Sequence, residues 1–450
     1  MKGRQRHHKV LAPKGTVREP EVAAPGIPVA PAPSLLVLHA EELVTLRGGE
    51  RPRRGGEMRE LAIIHDGAVY VEEGRIKDVG PSRALEANHG DASVLLDATG
   101  KTVTPGFVDA HTHLVFAGSR EHEIEWKAEG LSYQDIAMRG GGIGHTVEKT
   151  RRATEEALVL SGRQRLDAML AHGTTTLEAK TGYGLTAADE MKMLRANERL
   201  QEGHPATVVS TFLGAHAVPP EYEKRAEAYV DVVVREMLPD VAAKTSARYC
   251  DVFMEDGYFS GDQARRILSE AERLGLRAKV HADEFTDGGG AALAAEVGAV
   301  SADHLIHASN EGIRKLSERG TIAVLLPASS LASHIPFARA RHFVEMGVPV
   351  ALGTDFSPNC WTESMPLVVS LAAHQLGLTP AEALTAATIN AAHAVGLGRE
   401  VGSLEVGKRA DLLLLDVPDH RHLAYRIGAR VVETVVKDGR VVWRRARENI

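Results

Sequence analysis

Between Pro105 and Pro358 one pattern recurs eight times: a short apolar run of strand length, then a longer stretch of mixed polarity. The runs are "PGFVDAHTH", "GTTTLEAKTGYG", "TVVSTFLGAHAVP", "YCDVFMEDGYF", "RAKVHADEF", "SADHLIHAS", "TIAVLLPASS" and "VPVALGTDFSP". The stretches between them, such as "DQARRILSEAERLGL" and "EGIRKLSERG", space apolar residues three and four apart, the mark of helices that cover a sheet. Eight β-α units predict an α/β chain whose main body is a (β/α)8 TIM-like barrel, with its chemistry at the C-terminal ends of the strands. The competing arrangement is an open, doubly wound sheet, which no nucleotide-binding fingerprint in the sequence supports.

The two ends of the chain read differently. From residue 34 to 103, short apolar runs are punctuated by turns, with Asp66-Gly67 and Glu73-Gly74 as hairpin signals, and residues 401–450 repeat the style with Asp438-Gly439 at a turn. Each segment is too small for a good core alone, so the two are expected to pair into one small β-sandwich domain that flanks a barrel over 104–400. Residues 1–33 mix basic residues with six prolines and have little to bury, which predicts a disordered leader in which His7 and His8 have no function.

A net charge of −7 disfavours nucleic acid and anionic lipid, so an anionic ligand must meet a local positive group. Cys250 and Cys360 are the only cysteines, which leaves no disulfide framework and no cysteine-based metal site, and points to a reducing compartment. No apolar run approaches the roughly 18 residues of a membrane span, and "SLLVL" at Ser34 is too short for a signal-peptide core. The expectation is a cytoplasmic location, with neither membrane nor nucleic acid as partner.

Several strand ends carry metal-ligand chemistry. His111 and His113 are two residues apart in the first run, so in a strand both imidazoles point to one face. The fifth run ends in His281, the sixth carries His304 and the eighth ends in Asp355. Singly, each reads as a hydrogen-bonded core histidine or a helix-capping Asp; together they are the neutral imidazole and carboxylate ligands that Zn2+ or Fe2+ accepts. Such a metal lowers the pKa of bound water to about 7, and Asp355 or Glu284, three residues beyond His281, can then move protons. His304 either joins the metal or polarises a substrate carbonyl, and the second role is favoured because four other positions are already filled.

"PGFVDAHTH", "HADEF", "ADHL" and "GTDFSPN" at these positions resemble the amidohydrolase superfamily, metal-dependent hydrolases on a barrel with a β-sandwich formed from both chain ends. Within it, "FVDAHTHLVFAGSRE", "GGGIGHTVEKTR", "GTTTLEAKTGYGL", "FLGAHAVPPEY" and "TESMPLVVSLAAHQLGLTPAEALTAATINAAHAVGL" resemble the members that act in histidine degradation, over about Gly55 to Gly428. That resemblance implies hydrolysis of the cyclic amide of 4-imidazolone-5-propanoate to N-formimino-L-glutamate. It implies one Zn2+ or Fe2+/Fe3+ per subunit on His111, His113, His281 and Asp355, and a homodimer. It also implies that Arg120 and Tyr183 grip the propionate and that His216 contacts the ring. A planar guanidinium suits a carboxylate, which a net-negative protein needs for such a substrate.

One departure follows the eighth run, where Ser357-Pro358-Asn359 replaces the family's Asn-Pro-Gly; Ser357 and Asn359 still offer hydrogen bonds to a ligand. Lys180 stands near the end of the second strand, whereas relatives with a carbamylated, metal-bridging lysine place it on the fourth strand, so a single metal is expected. "RGGGIGHT" is a poor match to a phosphate loop and is read as a lid hinged at Gly140 to Gly144. Two other functions remain in view: a deaminase of a heterocyclic base within the same superfamily, and a non-catalytic barrel that has lost its reaction.

Overall fold

The computed structural model describes residues 33–446, so nearly all of the expected leader, with His7 and His8, lies outside the described residues. Eight parallel strands follow one another around a barrel: Phe107–Asp109, Thr174–Lys180, Thr207–Ala215, Tyr249–Met254, Arg277–Ala282, Ser301–His304, Ile322–Leu325 and Val350–Leu352. The last strand meets the first, since Ala110 donates to Leu352 O at 3.3 Å and Asp355 N to His111 O at 3.0 Å, with Thr112 bridging to Phe356. The closed barrel, rather than the open sheet, is what forms.

Local sequence explains the helices between the strands. Gly261–Arg273 begins at Ser260, whose hydroxyl accepts from Gln263 N while the Gln263 side chain reaches back, a capping box. Asn310–Arg319 is capped by Ser309 and ends at Gly320 with φ +76°, a left-handed stop that glycine adopts at little cost. Apolar faces of both helices pack on the barrel, with Ile267, Leu268, Ile313 and Leu316 buried.

The chain ends build two further sheets. Arg75–Pro81, Gly67–Glu72, Leu35–Ala40 and Val94–Asp97 form one, in that order. The other runs Arg440–Arg444, Val432–Lys437, Leu412–Leu415, Thr102–Pro105, Glu42–Val44 and Ile63–Ile64, so it mixes strands from both termini. Leu35, Val37, Val69 and Val71 of the first share a buried cluster with Leu43, Val103, Leu412 and Val436 of the second, which makes the pair a sandwich. "SLLVL" is therefore an inner strand of this sandwich.

Two of the three turn signals close hairpins. Glu73-Gly74 joins two antiparallel partners and so does Asp438-Gly439, each with both residues at positive φ. Asp66-Gly67 instead carries the chain from one sheet to the other, because Ile63–Ile64 pairs with Glu42–Val44 while Gly67–Glu72 pairs with Leu35–Ala40. A Cβ at Gly67 would stand 2.5 Å from Leu43 Cβ, so this crossing needs glycine. Among the described residues no helix is long and apolar enough to cross a membrane.

Candidate active site

The C-terminal end of the barrel holds a cavity lined by His113, Arg120, Tyr183, His216, Phe253, His281, Glu284, His304, Asp355, Ser357 and Asn359. These are the residues singled out in the sequence, with Phe253 added and His111 missing. His111 is fully buried in the wall directly behind, its ring 5.3 Å from that of His113 and 4.5 Å from that of His281.

Backbone geometry brings them there. The first strand stops at Asp109, but pairing continues through the histidines, with Lys180 N donating to Thr112 O at 2.9 Å and His113 N to Phe356 O at 2.8 Å. Asp109 is tied to the eighth strand's extension by Thr354 N at 2.9 Å and Thr354 Oγ1 at 2.6 Å, which locks the His111 arm to the Asp355 arm. Asp355 lies three residues beyond its strand rather than at its last residue. Asp355 (φ +51°) and His304 (φ +72°) both occupy the left-handed region, a costly conformation for these residues that accompanies their placement in the cavity wall.

The donor atoms face one another. Asp355 Oδ1 lies 3.5 Å from His111 Nε2 and 3.7 Å from His113 Nε2. His111, His281 and His304 form a second set with one donor atom each within 4.8 Å of the others. Burial, and then the ammonium of Lys180, hold His111 and His281 well below the usual imidazole range; for His113 burial is joined by His216. These rings are therefore neutral, the form that coordinates metal. His111 Nε2 and His281 Nε2 are buried and make no hydrogen bond. Buried nitrogens of this kind are costly unless something takes them up, and three neutral imidazoles with one carboxylate fit a zinc or iron ion. A third set, His111 with Glu178 and Asp303, does not, because the Lys180 ammonium already stands 3.1 Å from both carboxylates.

The proton-moving candidates sit beside this set. Burial pushes the Asp355 carboxyl up to about 7, against the pull of Ser329 and Lys180. Glu284 is raised well above the carboxylate range by burial first, then by the charges of Asp355 and Glu255, and its Oε1 is 3.5 Å from His304 Nδ1. Burial lowers His304 to about 4.

Opposite them lies the wall expected to hold an anion. Arg120 is buried, donates from Nε to Thr146 Oγ1 at 2.9 Å, and places Cζ 5.9 Å from the centre of the Tyr183 ring. Thr146 belongs to the helix Gly142–Arg152 that grows from "GGGIGHT", and Gly142 N is held by Glu123 Oε1 at 2.7 Å. Tyr183 is kept in place by Glu190, whose buried carboxylate accepts from the backbone of Gly182, Gly184 and Leu185 at 2.8 to 3.1 Å. His216 Nδ1 hydrogen-bonds Gly182 O at 3.0 Å, which fixes Nδ1 as the protonated nitrogen and Nε2 as the acceptor. A Cβ at Gly182 (φ +104°) would come within 2.9 Å of that imidazole, so this approach requires glycine. Ser357 closes a turn with Cys360. The Asn359 amide is oriented by one hydrogen bond at each end, Oδ1 accepting from Lys127 at 2.8 Å and Nδ2 donating to Ser333 at 2.8 Å, which leaves a lone pair and an N–H at the cavity.

The sequence reading passed over Phe253, Thr146, Glu123 and Glu190. Phe253 could have been found two residues after Asp251, on the same inward face of the fourth strand. Asp251 and Glu178 were legible as charges in the middle of strand-length runs, a pattern a buried parallel strand does not tolerate without partners.

The chain is similar to known proteins along most of its length. The profile of the Amidohydrolase family matches residues 102–442. Imidazolonepropionase of Symbiobacterium thermophilum is 53% identical over 415 residues, covering 91% of this chain and 97% of that protein. Imidazolonepropionase of Geobacillus kaustophilus is 50% identical over 413 residues, again 91% and 97% of the two chains. Among solved structures, E. coli guanine deaminase superposes with a TM-score of 0.70 at 17% identity, over 92% of this chain and 99% of that one, a likeness of fold.

Proposed function

This chain belongs to the amidohydrolase family, and from that premise we propose that it hydrolyses the cyclic amide of 4-imidazolone-5-propanoate to N-formimino-L-glutamate, as a metal-dependent step of histidine degradation. The observation that carries the reading is near-complete coverage by relatives named imidazolonepropionase at about half identity, which distant deaminase neighbours do not match.

His111, His113, His281 and Asp355 would hold one zinc or iron ion, supported by their mutual distances and by the nitrogens left without hydrogen bonds. Bound there, such an ion supplies Lewis acidity toward the amide carbonyl and makes a water molecule acidic enough to attack near neutral pH. Asp355 takes the proton from the attacking water, and its position against both His111 and His113 supports that role. Glu284, kept neutral by burial, carries a proton to the ring nitrogen as the carbon–nitrogen bond breaks. His304 hydrogen-bonds the carbonyl oxygen as negative charge grows on it. The Arg120 guanidinium pairs with the propionate, Tyr183 closes over it, His216 accepts from the ring, and Phe253 and Ser357 shape the floor with Asn359.

Cytoplasmic location and a homodimer belong to the same reading, supported by the family resemblance and, for location, by two buried, unpaired cysteines. The test is direct: purified protein with metal consumes imidazolonepropionate and yields formiminoglutamate by mass spectrometry. No turnover would reject the substrate. Release of ammonia from amino-heterocycles would instead favour the deaminase reading, and elemental analysis decides between zinc and iron.

A further inference from the structure

Directly beneath the histidines the barrel interior holds a layer of charge that the proposed reaction does not use. Alternate strands supply it: Glu178 and Lys180 from the second, Asp251 from the fourth and Asp303 from the sixth, joined by Lys279 from the fifth, all fully buried. Lys180 is its hub. Its Nζ donates to Asp251 Oδ2 at 2.6 Å and forms ion pairs with Asp303 Oδ2 and Glu178 Oε2, each at 3.1 Å.

Two of these carboxylates stand behind the rings, Asp303 through a hydrogen bond and Asp251 through a close contact alone. Asp303 Oδ2 meets both Lys180 and, at 2.7 Å, His111 Nδ1, while its Oδ1 accepts from the Ser301 hydroxyl at 2.7 Å. Asp251 Oδ2 accepts from Lys180 and lies 2.9 Å from His281 Nδ1 without a hydrogen bond to it, while its Oδ1 accepts from the backbone N–H of His281 at 3.1 Å. One ammonium thus anchors the two oxygens that face the rear nitrogens of two rings whose front nitrogens are open. Glu178 hydrogen-bonds neither ring; it takes the third contact and pairs with Lys279 at 2.9 Å. A carbamylated Lys180 would add a fourth anion among three, so the enclosure selects the free ammonium.

We propose that Lys180 is a positioning residue which, through Asp251 and Asp303, holds His281 and His111 as Nδ1–H tautomers with Nε2 presented to the metal. This rests on the ligand set proposed above. A ring turned about, or protonated at Nε2, offers the mouth no lone pair, and a carboxylate behind a ligating histidine also raises its basicity. Charge enters too. Two ammonium groups against three carboxylates leave one negative charge below the mouth, so removing Lys180 alone would add attraction for a cation while loosening the rings.

Matched double variants separate these effects. Glu178→Gln with Lys180→Met and Glu178→Gln with Lys279→Met each remove one ammonium and one carboxylate from the same layer, and only the first frees Asp251 and Asp303. The first is expected to weaken metal affinity, read by competition with a chelator, by about 10- to 100-fold and to shift the visible bands of the cobalt-substituted protein. The second stays within about two-fold of the native protein with its bands unmoved. Equal behaviour of the two doubles overturns the proposal. Should the first fail to fold, the native protein decides by 15N NMR of labelled histidines, assigned against His111→Asn and His281→Asn: Nδ1–H rings at both positions uphold the proposal, and an Nε2–H ring at either overturns it. Native protein that takes up no stoichiometric metal would refute the ligand set instead, a distinct result.

Discussion

The imidazoles at the barrel mouth and the ammonium–carboxylate layer beneath them are equally shut off from solvent, yet they are finished in opposite ways. Below, Lys180 meets three carboxylates, and Asp303 and Asp251 each engage two or more donors. Above, His111 Nε2 and His281 Nε2 are buried without a hydrogen bond, and Glu284 and Asp355 are held away from their usual ionisation by burial. A charged layer closed by ion pairs is support, whereas buried, neutral ring nitrogens with no hydrogen bond are poised for something that arrives later. The His111 ring takes part in both, its rear nitrogen hydrogen-bonded to the support and its front nitrogen turned to the site.

The largest effect should come from breaking the upper layer at a shared ring. His281→Ala is expected to lose metal together with activity, lowering kcat/KM by on the order of 10^3- to 10^4-fold, while circular dichroism stays native. Retained activity with metal bound would remove His281 from the ligands. Next, Glu284→Gln keeps the ligands and removes the proton, so kcat should fall about 10^2- to 10^4-fold with metal content unchanged. Arg120→Met sharpens the boundary between chemistry and binding. It should cost about 2 to 3 kcal/mol, roughly a 30- to 150-fold rise in KM with a smaller change in kcat, and an unmoved KM would place the propionate elsewhere.

The smallest effect lies far from both layers and tests whether buried pairing outside the barrel interior stabilises at all. Glu382 caps its helix through Thr379 and pairs with Arg341 and Arg59 at 2.9 and 3.0 Å. Burial pushes its carboxyl up, but Arg341, Thr379 and Arg59 together win and hold it at about 2. A folded pKa below the unfolded one means stability that is present above about pH 4.5 and lost as pH falls toward 2. Because both arginines are partly exposed, screening trims the contribution to about 1 to 2 kcal/mol. Glu382→Gln should therefore melt earlier at pH 7, with the gap from the native protein closing in acid; a gap independent of pH would assign the loss to packing.

Much of the architecture was readable from periodicity alone. The eight runs became the eight barrel strands, because a strand buried on both faces is apolar almost throughout and its connecting helix is amphipathic. His111, His113, His281, His304, Glu284 and Asp355 stood out because polar groups at the ends of such strands have few structural uses. Other features resisted. Asp66-Gly67 has the same turn chemistry as Glu73-Gly74, yet one crosses between sheets and the other closes a hairpin, since the partner of a strand is chosen by distant residues. The hydrogen bonds that orient the Asn359 amide come from Lys127 and Ser333, more than twenty residues away, and no local pattern announces them.

The sequence by itself determined the number and order of the strands, the residue types at their ends and the absence of a cysteine framework, because period and composition act over a few residues. Tertiary structure alone decided which carboxylate stands behind which histidine, that Lys180 supports rather than bridges, and that Thr146 and Glu190 steady the anion wall. The Lys180–Asp251 and His111–Asp303 pairings join positions 71 and 192 residues apart. Only closure of the barrel brings such groups within the 3 Å over which hydrogen bonds and buried charges act.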